Sequence, residues 1–175
     1  RLERGATIYD VGCGGGLMTV MLANKFPASR FIGIDVLPTA IAVARQEATK
    51  SSTKNVEFQL MNANELPPDS ADCIILNEVL HEIQMSERSS ALKAIYDALR
   101  PGGLLFLVDV LVPENIFDYS QSEYVPGALC DFFEAPWGSK ILTRPEFEKL
   151  IPQAGFSSPE YLECSDSLVV AYFLK

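Results

Sequence analysis

The first residues that could do chemistry are an acid and a group of glycines near the start of the chain. Asp10 ends an apolar run, and a tight cluster of glycines follows it: Gly12, Gly14, Gly15 and Gly16. Because glycine allows positive φ and leaves the main chain bare, a ligand can lie directly against this turn. Free amides at the start of the next helix favour anionic or polar ligand groups. The pattern therefore predicts a nucleotide-like ligand at a strand-to-helix turn.

A second acid narrows the choice of ligand. Asp35 ends the next apolar segment, where its carboxylate can accept hydrogen bonds from both hydroxyls of a ribose. The dinucleotide fingerprint needs a third glycine or alanine where this chain has Leu17. The phosphate-binding P-loop needs a Gly-Lys-Ser/Thr ending, which this turn lacks. These residues alone leave several nucleoside ligands open.

Alternating strands and helices must position these acids and glycines. Apolar segments predict strands over 7–11, 30–35, 56–62, 73–76 and 104–112. Helical spacing predicts helices over 17–25, 39–50, 87–99 and 144–153, the last capped by Thr143. Segments 160–164 and 168–174 read as a hairpin around Ser165-Asp166-Ser167. The predicted fold class is α/β, with a doubly wound, mostly parallel seven-stranded sheet and an antiparallel C-terminal hairpin.

Length, charge and cysteine usage limit the class of protein. The length of 175 residues predicts one domain over 1–175, and a net charge of −9 argues against a nucleic-acid or anionic-membrane surface. No apolar run reaches the length of a membrane span, and no signal peptide is evident. The four cysteines contain no CxxC pair, so we expect no metal site and buried, reduced thiols. A cytoplasmic location follows as an expectation.

Four segments follow one another along the chain and read D-V-G-C-G-G-G, F-I-G-I-D, A-D-C-I-I-L-N-E-V-L-H and L-R-P-G-G-L-L-F-L-V-D. In this order they resemble the class I S-adenosylmethionine-dependent methyltransferases. The resemblance covers the whole chain, and the terminal hairpin matches that family's Rossmann-like sheet. It implies S-adenosyl-L-methionine as cofactor and S-adenosyl-L-homocysteine as product. A nicotinamide-dependent oxidoreductase remains as an alternative.

The resemblance also implies which residues meet the methionine part of the cofactor. The main chain of Gly12, Cys13 and Gly14 would lie against it, and Asn77 would follow the fourth strand near the same end. Asp10 would support the glycine loop or contact the cofactor's amino group. The alternative for Asp10 is a purely structural role, in which it only stabilises its own loop.

Four more residues are implied for the nucleoside part. Asp35 would hold the ribose, Val36 would pack on the adenine, and Asn62 and Ala63 would read the adenine edge. The family often has Asp where this chain has Asn62. Ordinary roles stay open for Asp35, as a solvated acid, and for Asn62 and Ala63, as turn residues.

The only histidine carries the catalytic hypothesis. V-L-H-E-I is similar to the V-L-H-D-W segment of small-molecule O-methyltransferases, whose histidine is the general base. The resemblance implies that His81 takes the proton of an acceptor hydroxyl and that Asp109 orients it. The family's second acid is replaced by Ile141, so Glu82 or Glu134 could supply support instead. His81 as a packing or substrate-orienting residue, and Asp109 as a strand-end acid, stay open.

Residues 113–139 are predicted to form an irregular insert on the substrate side. Its aromatic side chains wall an acceptor pocket or pack in the core: Tyr119, Tyr124, Phe132, Phe133 and Trp137. We expect O-methylation of a small aromatic or polyketide-like acceptor; the alternatives are C- or N-methylation and a cofactor-binding module without turnover. Related O-methyltransferases carry an N-terminal helical domain, so we expect part of a larger chain or a homodimer through a missing N-terminal region.

Overall fold

A computed structural model describes residues 2–165 and 167–175 of the chain, and only the main chain of residues 163 and 164. Asp166 in the predicted hairpin turn and the thiol of Cys164 lie outside this description. The other three cysteines, Cys13, Cys73 and Cys130, are free thiols and half-buried.

Seven strands form one sheet. They are β1 (Thr7–Val11), β2 (Arg30–Asp35), β3 (Val56–Leu60), β4 (Ala71–Asn77), β5 (Leu99–Val110), β6 (Glu160–Cys164) and β7 (Leu168–Leu174). Their spatial order is β3-β2-β1-β4-β5-β7-β6. The first five strands are parallel to one another, and β7 runs antiparallel to both β5 and β6. The predicted mostly parallel sheet with an antiparallel C-terminal hairpin is confirmed.

Helices cover both faces of this sheet. They are α1 (Leu17–Lys25), α2 (Pro38–Ser51), α3 (Arg88–Ala98), α4 (Val125–Glu134) and α5 (Arg144–Gln153). The helices α1 and α2 bury apolar side chains on one face, and α3 and α5 do so on the other. Within the described residues, no helix combines the length and apolarity that crossing a membrane requires.

The sheet order places a ligand site at one edge. The chain leaves β1 toward β2 and β3 on one side and returns to β4 on the other. In open α/β sheets, ligands bind in the crevice outside the carboxyl ends of strands at such a reversal. The loops after β1, β2, β3 and β4 therefore carry the site.

Two predictions about the elements were wrong. The strand β5 begins at Leu99, because Leu99 pairs with Ala71 and Leu104 pairs with Cys73, so a bulge absorbs the Pro-Gly-Gly segment between them. The insert is not irregular throughout, since α4 occupies its centre. Smaller shifts are the ends of β3 at Leu60 and of β5 at Val110.

Candidate active site

The glycine loop after β1 has a shape that only glycine allows. Gly12 has a φ of +68°, and a Cβ there would lie 2.6 Å from Cγ2 of Val79. Gly16, before α1, has a φ of +76°, and its Cβ would lie 2.6 Å from Cζ of Phe58. A side chain at either position would be strained and would clash. Gly14 is different, because a Cβ there would meet nothing within 4 Å.

The loop is tied to the end of β2 through its own amides. The Gly14 N–H donates to Oδ2 of Asp35 at 2.9 Å, and the Cys13 N–H donates to the Ile34 carbonyl at 3.0 Å. The Leu37 N–H donates to Oδ1 of Asp35 at 2.9 Å. These amides are therefore used inside the protein rather than offered to a ligand. A carboxylate has about four lone-pair sites, so Asp35 retains capacity to accept further hydrogen bonds.

Asp10 is buried beneath the glycine loop. Only 1% of it is exposed, and the Thr19 hydroxyl on α1 donates to its Oδ2 at 2.5 Å. Burial raises the pKa of Asp10 to about 6; the Thr19 hydrogen bond opposes the shift, and the charge of Asp35 adds to it. Asp10 therefore joins β1 to α1 and supports the loop from below.

A cavity of about 680 Å³ lies at the carboxyl edge of the sheet. Among its lining residues are five of the predicted site residues: Gly12, Asp35, Val36, Asn62 and Ala63. We call this wall the cofactor half. It gathers the ends of three adjacent strands, as the alternating pattern predicted.

Asn62 has a second task in the cofactor half. Its Oδ1 accepts from the Asn64 N–H at 2.9 Å, and its own N–H donates to the Glu65 carboxylate at 2.8 Å. Asn62 thus caps the short 3-10 turn of residues 63–65. The turn orients Ala63, which is buried at the cavity wall.

The opposite wall, here called the acceptor half, comes from two distant segments. The loop between β4 and α3 and the insert supply Glu82, Ile83, Gln84, Glu87, Glu134 and Trp137. Of the five aromatic residues predicted to wall the pocket, only Trp137 lines the cavity. Tyr124 is buried, whereas Phe132 and Phe133 are exposed and contact each other edge to face. Burial raises the pKa of Glu82, and the nearby carboxylates add to that shift although His81 opposes it.

His81 and Asp109 form a buried pair beside the cavity rather than in its lining. The Nδ1 atom of His81 lies 2.5 Å from Oδ1 of Asp109, and the His81 main-chain N–H donates to Oδ2 at 3.1 Å. His81 is 7% exposed. Among the described residues, Nε2 has no hydrogen-bond partner, and it is not one of the polar atoms cut off from solvent. This second ring nitrogen therefore has no partner among the described residues and keeps a small contact with solvent.

The pKa of His81 reflects competing influences. Burial lowers it, but the hydrogen bond and charge of Asp109, followed by the charges of Glu82 and Glu134, outweigh burial and raise it above its ordinary value. Asp109 can only accept when ionised, so Nδ1 carries the proton in this pair. The arrangement fixes the ring and leaves Nε2 to act as a base when the imidazole is neutral.

Besides His81 and Asp109, four of the predicted cofactor-binding residues are not part of the cavity lining. Asp10 is buried beneath the glycine loop. The main-chain amides of Cys13 and Gly14 are hydrogen-bonded to β2. Asn77 is exposed at the end of β4. In residues 2–165 and 167–175, no group of three or more His, Cys, Asp or Glu side chains could hold a metal ion.

Sequence reasoning missed Arg88, a buried charge on α3. A signal was present: Arg88 occupies the first position of the buried helical stripe that continues with Ala91, Leu92 and Ile95. Charged side chains are rarely buried without partners, so an arginine in this stripe indicates a residue with specific hydrogen-bond partners.

A sheet of this order with a glycine turn and a strand-end acid defines a protein that binds a nucleoside-type cofactor. Residues 8–103 match the family described as "Methyltransferase domain", and the chain belongs to this family. Its cofactor is S-adenosylmethionine, which leaves as S-adenosylhomocysteine.

Individual relatives agree with this assignment. The chain is 33% identical over 117 residues to carboxy-S-adenosyl-L-methionine synthase of Chromohalobacter salexigens, covering 63% of this chain but only 42% of that protein. It is 27% identical over 190 residues to demethylmenaquinone methyltransferase of Listeria monocytogenes serotype 4a, covering 99% and 79% of the two chains. A solved S-adenosylmethionine-dependent methyltransferase from Methanosarcina mazei has a TM-score of 0.74 at 23% identity, covering 98% and 93%. At 23% identity, the similarity to the Methanosarcina mazei structure supports the shared fold only.

The residues present fit this cofactor. Gly14 leaves open space in front of the loop, Asp35 has lone pairs left for ribose hydroxyls, and Ala63 adds little bulk at the wall. Val36 is exposed in the cavity and offers an apolar surface for a purine ring.

Proposed function

We propose that this chain transfers a methyl group from S-adenosylmethionine to a hydroxyl of a small aromatic acceptor, with His81 as the general base. The observation that carries the proposal is the buried His81–Asp109 pair, in which one ring nitrogen is bonded and the other has no partner among the described residues. The pair lies at the carboxyl ends of β4 and β5, beside the cavity.

The cofactor half would bind the nucleoside. In this proposal Asp35 accepts from the ribose hydroxyls, Val36 packs on the adenine, and Asn62 and Ala63 lie at its edge. The loop of Gly12, Cys13 and Gly14, whose Cys13 and Gly14 amides are already hydrogen-bonded to β2, would lie against the methionine part; Asp10 would hold that loop, and Asn77 would lie near the same end. When bound, the cofactor supplies an electrophilic methyl on a sulfonium, which is already a good leaving group.

The chain's own contribution is alignment and proton removal. Nδ1–H of His81 donates to Asp109, so the ring is held in the tautomer whose Nε2 can accept a proton. Nε2 takes the hydroxyl proton as the oxygen attacks the methyl carbon. The imidazolium that forms is stabilised by the Asp109 carboxylate.

The charges of the acceptor half disfavour an anionic acceptor. Its ionisable lining residues are Glu82, Glu87 and Glu134, and within the described chain neither Lys nor Arg lines the cavity. An anionic acceptor would be repelled by this wall. Ile83 and Trp137 provide apolar surface for a ring. The insert, residues 113–139, is in this proposal the substrate-side element.

A panel assay tests the proposal. The protein is incubated with trideuteromethyl S-adenosylmethionine and separate phenols, catechols and reduced naphthoquinones, and products are analysed by mass spectrometry. We expect one trideuteromethyl group on an oxygen of at least one neutral phenol. Asp35→Ala serves as the negative control, because it weakens cofactor binding and should abolish the product. Binding of S-adenosylhomocysteine without any product would favour the non-catalytic module.

Methylation of carbon is a second candidate, favoured by the relative named as a demethylmenaquinone methyltransferase. In that case His81 would remove the proton of a reduced quinone while a ring carbon attacks the methyl. Fragmentation of the product distinguishes the two, because an O-methyl group is lost readily whereas a C-methyl group stays with the ring.

A further inference from the structure

Arg88 is a buried cation in an unfavourable place. It is 2% exposed and begins α3, where the helix dipole disfavours positive charge. Burial lowers its pKa, although the charges of Asp109, Glu146 and Asp131 oppose that shift. In the described part of the chain, no carboxylate lies within salt-bridge distance of Arg88, and its Nη1 is buried without a partner. Such a residue costs stability unless it does something that an apolar side chain could not.

What Arg88 does is bridge main-chain carbonyls of two segments. Its Nε donates to the Ile83 carbonyl at 2.8 Å, and its Nη2 donates to the His81 carbonyl at 2.8 Å. The same Nη2 donates to the carbonyl of Lys140, which lies 52 positions further along the chain. One planar side chain thus joins the β4–α3 loop to the segment that follows the insert.

Both segments adjoin the acceptor half. The first carries Glu82, Ile83 and Gln84, which line the cavity. In the second, Lys140 directly follows Ser139, the last residue of the insert, whose hydroxyl donates to the carbonyl and carboxylate of Glu134 at 3.0 and 3.1 Å. A further link runs from the first segment to the insert itself, from the Met85 N–H to the Gly138 carbonyl at 3.2 Å. Arg88 itself does not line the cavity.

We infer that Arg88 is a positioning residue that holds the two walls of the acceptor half at a fixed separation, and through the His81 carbonyl fixes the proposed base. This inference rests on the proposed function of the cavity, but the contacts themselves do not. A planar guanidinium can satisfy three carbonyls in one plane, which an ammonium cannot do.

Hydrogen exchange measured by mass spectrometry tests this role without any acceptor. We compare the wild type, Arg88→Met and, as matched control, Arg100→Met, whose arginine donates to Asp69 and Asp72 away from the cavity. Arg88→Met should raise exchange at least about tenfold in both 79–87 and 134–142, because charge-assisted hydrogen bonds are lost. Exchange in β1 and β2 and the affinity for S-adenosylhomocysteine should stay within about twofold of wild type.

Other outcomes overturn the inference. Faster exchange confined to α3, or spread evenly over the sheet, means that Arg88 only supports the helix or the core. Unchanged exchange in 134–142 means that the bond to Lys140 does not hold the insert. If Arg88→Met fails to fold, Arg88→Lys is measured instead and must show the same selective pattern at smaller amplitude.

Comparing the KM for the acceptor with the KM for S-adenosylmethionine separates this inference from the proposed function. With a phenol that the panel identifies, Arg88→Met should raise the acceptor KM at least about tenfold and leave the KM for S-adenosylmethionine unchanged. Rescue of the acceptor KM by Arg88→Lys, in part, is expected. If no acceptor is ever methylated, the proposed function fails, yet the exchange pattern still decides what Arg88 does.

Discussion

The two halves of the cavity are built in different ways. The cofactor half uses the ends of three neighbouring parallel strands, and its contacts are short main-chain turns such as the loop at Gly12. The acceptor half uses one loop and an insert, which are joined by the Arg88 side chain, through Lys140, and by the bond from the Met85 N–H to the Gly138 carbonyl. The first half is therefore specified by backbone geometry and the second by a few long-range hydrogen bonds.

This difference predicts how each half responds to change. A substitution in the cofactor half should alter affinity for S-adenosylhomocysteine, because backbone fit leaves no room for adjustment. A substitution in the acceptor half should alter acceptor use and leave cofactor affinity in place.

The largest effect is expected for Gly12→Ala. Its Cβ would lie 2.6 Å from Val79 in a backbone that needs positive φ, so strain and overpacking add. We expect affinity for S-adenosylhomocysteine, measured by isothermal titration calorimetry, to fall at least about 100-fold. Gly138→Ala is the matched control, since Gly138 has a φ of +78° but open space around it. Equal losses in both variants would contradict the division.

A medium effect is expected for Asp109→Asn. The charge of Asp109 helps to raise the pKa of His81, so proton removal needs a pH high enough to neutralise the ring. The activity of the wild type should rise with pH through this raised pKa. In Asp109→Asn the rising limb should move to lower pH and the plateau should fall about tenfold, as the ring loses its orientation.

The same pair affects stability in a defined pH range. Because the folded pKa of His81 is raised, the stabilisation is fully present below its ordinary value of 6.5 and is lost as pH rises through the folded pKa. The melting temperature of the wild type should exceed that of Asp109→Asn mainly in acid. A gap that widens with pH would reverse the assigned sign.

The smallest effect on activity and cofactor affinity is expected for Asp10→Asn, because its main consequence is for stability. Since burial raises the pKa of Asp10 from 3.8 to about 6, the folded state holds a proton that the unfolded state releases, and stability falls as pH rises between these values. We expect the free energy of unfolding of the wild type to fall by about 1–3 kcal/mol over this range, whereas that of Asp10→Asn should not show this fall. Denaturation at pH 4 and pH 7 measures it. Weakened binding of S-adenosylhomocysteine would show that Asp10 contacts the cofactor's amino group; unchanged binding would leave it a loop support.

The cofactor half could be predicted because its signals are local. An acid at a strand end, a cluster of glycines and a second acid after the next strand lie in three short segments, and parallel strands bring their ends together. The structure places Gly12 and Asp35 in one cavity wall, as expected. Their roles toward the cofactor remain predictions.

The rest depends on contacts that the sequence does not display. The helix α4 lies within residues that were predicted to be irregular; its Pro126 is in the first turn, where proline is tolerated. The early start of β5 depends on pairing with β4 through a bulge. The bond from Arg88 to Lys140 spans 52 positions and follows only from the folded insert.

The most direct measurement of the central claim is the single-turnover rate of methyl transfer in His81→Gln, with S-adenosylhomocysteine affinity determined on the same sample. A general base contributes roughly 100- to 10,000-fold, so we expect the rate to fall at least about 100-fold. Cofactor affinity should stay within about twofold, since His81 lies outside the cofactor half. A rate near that of the wild type, with affinity intact, would contradict the assignment of His81 as the base.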